Sequence, residues 1–206
     1  MKRWAAVAAF TALAAASAEA LAARPGKFAA IDQCLADNGA WNYRTDACEA
    51  APAGPVDRIF VDKSDHWMAV YRGGRIVREF RVALGRGGLK PKLRAGDSRV
   101  PEGLFTISAH NPESDYHLSL RISYPTPEQA AAAAARGQQA GGDIMIHGLP
   151  NGRGAVGSRQ RLADWTEGCI AVTNREMDWL YQAVADGIPI EIRAWRPEPP
   201  PAAGAS

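Results

Sequence analysis

The sequence predicts a mainly β fold with short helices (α+β), and three observations carry that reading. Between residues 58 and 84, apolar segments are separated by polar or Gly-rich turns. Residues 116–124 alternate apolar and polar side chains with period two. Helical signals are confined to two short stretches, each opened by Thr with Gln or Glu three residues later.

In chain order, residues 58–62 and 66–71 read as strands flanking a polar turn, and Arg72-Gly73-Gly74 makes the next turn. Residues 75–84 continue as a third strand ending at Gly85, so the three form an antiparallel meander. Residues 86–99 are a Gly/Lys/Arg loop and 103–107 a further strand. In 116–124, Tyr116, Leu118, Leu120, Ile122 and Tyr124 share one face, which should bury, and His117, Ser119, Arg121 and Ser123 share the other. Thr126-Pro127-Glu128-Gln129 opens a helix with Thr as N-cap and Pro at its first position, and Gly137 stops it. Thr173 and Glu176 open a second helix, with Met177, Leu180, Tyr181 and Val184 on one face. Residues 188–192 form a last strand, which Pro189 confines to a sheet edge or a strand start.

Composition sets the broad class. The chain has 206 residues, 47% hydrophobic and 22% charged, with net charge +2, enough for one domain that buries its own core. No basic run interleaved with aromatics points to nucleic acid. Residues 1–20 read as a signal peptide: Lys2-Arg3, an Ala-rich apolar stretch, then small residues permitting cleavage after Ala18 or Ala20. An exported protein, periplasmic or cell-wall associated, without a stable membrane span after cleavage is expected. Residues 21–54 form a small N-terminal segment ending in a Pro/Ala/Gly linker, 55–195 the main domain, and 196–206 a disordered Pro/Ala tail. In an oxidising compartment Cys34 and Cys48 are expected to pair, closing a loop of about 15 residues and contributing on the order of 3 kcal/mol in the chain-entropy model.

Cys169 is then the odd cysteine. It follows Gly168 and precedes the apolar run Ile170-Ala171-Val172, while upstream a short apolar strand ends in His147-Gly148. A thiol and an imidazole at strand edges form the minimum kit for a nucleophile and its base. The bland alternatives are a buried structural cysteine and a hydrogen-bonded core histidine. Metal binding is disfavoured because no Cys-x-x-Cys or His-x-x-x-His spacing exists, and no cofactor is implied. Trp165 reads as core rather than a substrate stacker, and Glu167 as a turn acid able to set the charge near the thiol.

The strings Ile146-His147-Gly148 and Thr166-Glu167-Gly168-Cys169-Ile170 resemble the signature of the YkuD-type L,D-transpeptidases, in the branch with Thr-Glu/Asp-Gly-Cys-Ile-Ala-Val. The resemblance spans about residues 58–193. It implies a β-sandwich or flattened barrel, with Cys169 as nucleophile and His147 as base in a peptidoglycan L,D-transpeptidase that forms a thioacyl-enzyme on stem peptides. It also implies an alternative, a cysteine amidase that cleaves diaminopimelate-linked bonds and releases a wall-attached lipoprotein. A third reading, a non-catalytic wall-binding module, is disfavoured by the intact Cys169 and His147. Backbone N–H groups around Gly168 and Cys169 would hold the oxyanion. Gly148, Thr166, Glu167, Gly168, His117 and Arg153 are the expected substrate-binding residues. Two departures stand out: Glu167 replaces the usual His and Ala171 the usual Arg. Either Arg153, Arg159 or Arg161 from the 149–163 loop, which reads as a lid over the cleft, then supplies the charge for a substrate carboxylate, or the preferred substrate differs.

Overall fold

A computed structural model describes residues 27–37, 39–42, 45–50, 55–73 and 75–194. The expected signal peptide, most of the linker and the C-terminal tail lie outside the described residues. Among the described residues, ten strands and three α-helices are laid out in chain order. They are α1 (Lys27–Ala36), β1 (Gly39–Asn42), β2 (Ala47–Ala50), β3 (Arg58–Asp62), β4 (Trp67–Arg72), β5 (Arg75–Arg81), β6 (Gly103–Asn111) and β7 (Ser119–Ile122). There follow α2 (Pro127–Ala134), β8 (Met145–His147), a 3₁₀ segment (Gly154–Leu162), β9 (Ile170–Ala171), α3 (Asn174–Ala183) and β10 (Pro189–Arg193).

β3 to β10 form one eight-stranded sheet in the order β5-β4-β3-β10-β6-β7-β8-β9. The meander appears as expected, β3 and β4 pairing antiparallel and β4 and β5 likewise. β10 inserts between β3, which it joins in parallel, and β6, which it joins antiparallel. Pro189 therefore starts a central strand; its missing donor falls at the strand's first residue, where the ladder tolerates it. The sheet curls until its ends meet. Beyond β5, Ala83 bridges Ala171 of β9 and Gly85 bridges Thr166. The result is a curled, barrel-like sheet, in keeping with the expected flattened barrel.

The concave face holds the core. Ile59, Val61, Met68, Val70, Phe80, Ile107, Leu120, Ile146, Ile170 and Ile190 are fully buried in it, as are Met177 and Leu180 of α3. Removing that apolar area from water is the main stabilising term, roughly 25 cal/mol per Å². Both helical signals are realised as reciprocal capping boxes, Thr126 with Gln129 and Thr173 with Glu176.

The 116–124 alternation shortens in space. β7 covers only residues 119–122, because His117 adopts φ 70° and breaks the strand. Leu120, Ile122 and Tyr124 are buried as expected, but Tyr116 is partly exposed, and Ser119, on the face expected to be polar, is fully buried.

Cys34 and Cys48 form a disulfide joining α1 to β2. The β1–β2 hairpin and α1 bury Ile31, Cys34 and Trp41 in a small cluster of their own. This segment is seated on the main body: Arg78 Nη2 donates to the Gly39 carbonyl (2.9 Å), and Arg175 Nη1 to the Ala36 carbonyl (2.6 Å). Among the described residues, no helix is long and apolar enough to cross a membrane.

Candidate active site

β8 and β9 run parallel with Ile146 opposite Ile170 and His147 opposite Ala171. Ile146 and Ile170 are both 0% exposed in the core. Strand side chains alternate, so Met145, His147, Cys169 and Ala171 belong to the other face. The pleat thus turns His147 and Cys169 the same way, and both line one cleft of about 340 Å³. Tyr116, Asp143, Trp165, Thr166 and Glu167 line it too.

The turn before Cys169 is tightly built. Thr166 Oγ1 donates to the Cys169 carbonyl (2.7 Å) and accepts from the Gly168 N–H (3.2 Å). Gly168 has φ 125°, and a Cβ there would lie 2.7 Å from the Arg99 carbonyl oxygen, so only glycine passes without a backbone shift. Because the Gly168 N–H is taken by Thr166, it is not free to hold an oxyanion in this conformation, contrary to the expectation from sequence. Asp164 ties the same turn to the strand beyond β5: its Oδ1 accepts from the Leu84 N–H (2.8 Å), and its Oδ2 lies 3.0 Å from His66 Nε2.

His147 is 4% exposed. Its Nδ1 lies 2.7 Å from the Gly148 carbonyl oxygen. A carbonyl only accepts, so Nδ1 carries the proton and Nε2 keeps the free lone pair of a base. The ring packs against Tyr116 (centroids 4.5 Å apart) and Trp165 (5.6 Å, edge to face), which also contact each other (6.1 Å). Trp165 is thus half-buried in the cleft wall, not in the core as its sequence setting suggested. Its Nε1–H donates to Gln160 Oε1 (2.9 Å), while Gln160 Nε2–H donates to the Ala171 carbonyl (3.3 Å). Sequence reasoning missed Tyr116 and Gln160 as parts of the site, since their role arises from a chain crossing invisible in local pattern.

Electrostatics favour a neutral resting pair. Burial pushes the Cys169 thiol up, outweighing the Met145 backbone N–H and the Lys92 charge that pull it down; Asp143 adds to the rise. Burial pushes His147 down, against the Gly148 carbonyl that raises it. A preformed thiolate–imidazolium pair is therefore not the favoured resting form.

The other expected substrate-binding residues divide. Thr166 and Glu167 line the cleft, and Gly168 shapes its turn. The Glu167 carboxylate is turned aside to Arg86 Nη2 (2.5 Å) and Ser98 Oγ (2.6 Å). Gly148 lies behind His147, where a Cβ would meet Asn174 Oδ1 at 2.9 Å and His117 Cβ at 3.0 Å. His117 points to α3, its Nε2 2.6 Å from Asp178 Oδ1, and Arg153 stands exposed; neither lines the cleft. Arg161 is also unsuited to a substrate carboxylate, being buried against Glu176 with side chains 1% exposed on each partner. No Lys or Arg lines this cleft. Among the described residues, no group of three or more His, Cys, Asp or Glu is placed to hold a metal ion.

Fold and turn together define the class. The family model of the YkuD L,D-transpeptidase catalytic domain matches residues 56–192, and the chain belongs to that family. Its similarity to YafK of Escherichia coli K12, named for the same L,D-transpeptidase class, is 28% identity over 117 residues, 55% of this chain and 39% of YafK. The chain thus matches well under half the length of that relative. Among solved structures, the helical cell shape determining protein Pgp2 of Campylobacter jejuni (K307A mutant) superposes with TM-score 0.54 at 21% identity. That match covers 84% of this chain and 58% of Pgp2, and it shows a shared fold. An L,D-transpeptidase from Mycobacterium smegmatis matches with TM-score 0.46 and 20% identity, over 72% of this chain and 64% of its own.

Proposed function

We propose that this protein is a peptidoglycan L,D-transpeptidase acting through a thioacyl-enzyme on Cys169. The observation that carries the reading is the opening of His147 and Cys169, from adjacent parallel strands, into one cleft. The Cys169 Sγ attacks a peptide carbonyl of a stem peptide as its proton passes to His147 Nε2. Proton transfer accompanies attack because the free pair is neutral. The Cys169 N–H, just before β9, stabilises the oxyanion in place of the occupied Gly168 N–H. The imidazolium then protonates the leaving amine, the C–N bond breaks, and a thioester remains on Sγ. A diaminopimelate side-chain amine of a second stem attacks that thioester, giving the cross-link and restoring the thiol. Glu113 and Asp115 line the same cleft without an ion-pair partner among the described residues, and their charge suits a cationic amine acceptor. The Cys34–Cys48 disulfide fits action outside the cytoplasm, at the wall.

A second reading keeps the same first step and lets water resolve the thioester, releasing a diaminopimelate-linked peptide or a wall-attached lipoprotein. The lack of a cation in the cleft, where the family commonly has an Arg after the Cys, favours a substrate unlike the usual one. Mass spectrometry of muropeptides incubated with the chain lacking residues 1–20, beside Cys169→Ala, separates the two. Cross-linked dimers or exchanged terminal D-amino acids, absent with Cys169→Ala, are the expected result. Released peptide without dimers or exchange would instead establish the hydrolase. Products unchanged in Cys169→Ala would overturn the nucleophile.

A further inference from the structure

The cleft around Cys169 is lined by carboxylates and, among the described residues, by no Lys or Arg. A recess of about 420 Å³ elsewhere is lined by Arg94, Arg99 and Arg136 together with Leu93, Gly96, Asp97 and Gln138. None of the three guanidiniums is paired with a carboxylate among the described residues. Each is instead steadied by a backbone carbonyl: Arg94 Nη1 donates to Ala95 O (3.4 Å), Arg99 Nε to Gly87 O (3.1 Å) and Arg136 Nη2 to Leu93 O (3.1 Å). The remaining donors of these planar forks are available to a ligand.

Asp97 does not neutralise the recess. Its Oδ1 accepts from Lys92 Nζ (2.8 Å) and the Arg99 N–H (3.2 Å), and its Oδ2 from the N–H groups of Leu93 (2.8 Å) and Arg94 (3.1 Å). The Lys92 and Asp97 side chains are 4% and 6% exposed, so this pair is internal and cancels its own charge. The recess keeps the full charge of three arginines.

It also abuts the catalytic turn. The Arg99 carbonyl packs against Gly168, and its neighbour Ser98 donates to Glu167 Oε2 (2.6 Å). One layer of backbone separates the recess from the residue preceding Cys169.

We infer that the Arg94–Arg99–Arg136 recess is a carboxylate-binding subsite that holds an acidic group of the peptide substrate while another part of it lies in the Cys169 cleft. This rests on the proposed reading that the substrate is a stem peptide, whose free carboxylates supply the ligand chemistry. Charge-assisted bonds from guanidinium to carboxylate are stronger than neutral ones and directional. The subsite performs the task that the sequence sought from Arg153, Arg159 or Arg161.

The test is binding, in a Cys169→Ala background, so that it does not depend on turnover. A disaccharide-tetrapeptide with free carboxylates, the same ligand with its carboxylates amidated, and inorganic phosphate are titrated calorimetrically. The receptors are the Cys169→Ala chain and the same chain carrying Arg94→Gln and Arg136→Gln. Both arginines are exposed, so the doubly substituted chain keeps its fold, checked by an unchanged melting temperature. The free-carboxylate ligand is expected to bind about tenfold more tightly than the amidated one, a preference that disappears in the substituted chain. An amidation penalty of equal size in both chains, or none in either, overturns the subsite. Phosphate binding that depends on the two arginines while the peptide shows no preference overturns its assignment to a carboxylate. Failure of the muropeptide reaction alone would leave this binding result standing and sink only the proposed chemistry.

Discussion

Burial acts on Cys169 and His147 in opposite senses, raising the thiol and lowering the imidazole, and both shifts favour the uncharged pair. The consequence for stability has a definite sign. The thiol, raised on folding, contributes stability below its ordinary value of about 8.5 that is lost as pH rises through its folded value. The imidazole, lowered on folding, contributes stability above its ordinary value of about 6.5 that is lost as pH falls through its folded value. Both contributions are in place between those two ordinary values. The thiolate is the reactive form, so the rate of Cys169 alkylation by iodoacetamide should rise with pH to a midpoint above that of a free thiol. A midpoint at or below the ordinary thiol value would show that an imidazolium stabilises a resting thiolate instead. Cys169 and His147 were legible because each sits beside glycine at the edge of an apolar run. The Thr166 hydroxyl's claim on the Gly168 N–H was not, because it depends on a turn geometry that residue types alone leave open.

At the scale of elements, the 149–163 loop is held from behind rather than hanging over the cleft. Gly157 turns with φ 54°, which brings the chain onto α1: the Ser158 N–H donates to Asp32 Oδ1 (3.1 Å) and Ser158 Oγ–H to Asp32 Oδ2 (2.9 Å). Ser158 is fully buried there. Two residues on, Gln160 holds the Trp165 indole that packs on His147. The disulfide-stapled segment therefore supports His147 through α1, the loop and Trp165 in turn. Asp32→Ala removes both bonds, which costs on the order of 1–3 kcal/mol locally. Hydrogen exchange should then speed up across residues 154–162, with turnover of the muropeptide substrate falling while exchange in β3 and β4 stays unchanged. Unchanged exchange in 154–162 would mean that α1 does not secure the loop. The cysteine pairing could be read from spacing and compartment, but its partner loop lies more than a hundred residues away and carries no local signal.

The whole molecule is defined by the closure of its sheet. Ala171 lies in the seam, 0% exposed, exchanging hydrogen bonds with Ala83 (Ala83 N–H to Ala171 O, 3.0 Å; Ala171 N–H to Ala83 O, 2.9 Å). The family's usual Arg at this position would place a guanidinium where the seam has room for a methyl group. Ala171→Arg is therefore expected to destabilise the protein by more than about 3 kcal/mol, combining overpacking with a buried charge, as read by denaturant unfolding. A variant of unchanged stability would show that the seam opens easily.

The sequence by itself determined many of the elements: the meander from its turn chemistry, α2 and α3 from their capping boxes, and the placement of the thiol and imidazole from glycine-flanked strand ends; α1 and the β1–β2 hairpin carried no such signal. The legible elements depend on interactions within a few residues, which residue order specifies directly. Tertiary structure alone decided that the last strand inserts beside the first of the sheet and that the sheet closes through Ala83 and Ala171. It also decided that Tyr116 and Trp165 pack on His147, and that Arg94, Arg99 and Arg136 gather around one recess, with the Arg99 carbonyl against Gly168. Each of those joins distant segments, where the burial of apolar faces and the pairing of open strand edges select partners that no local pattern names.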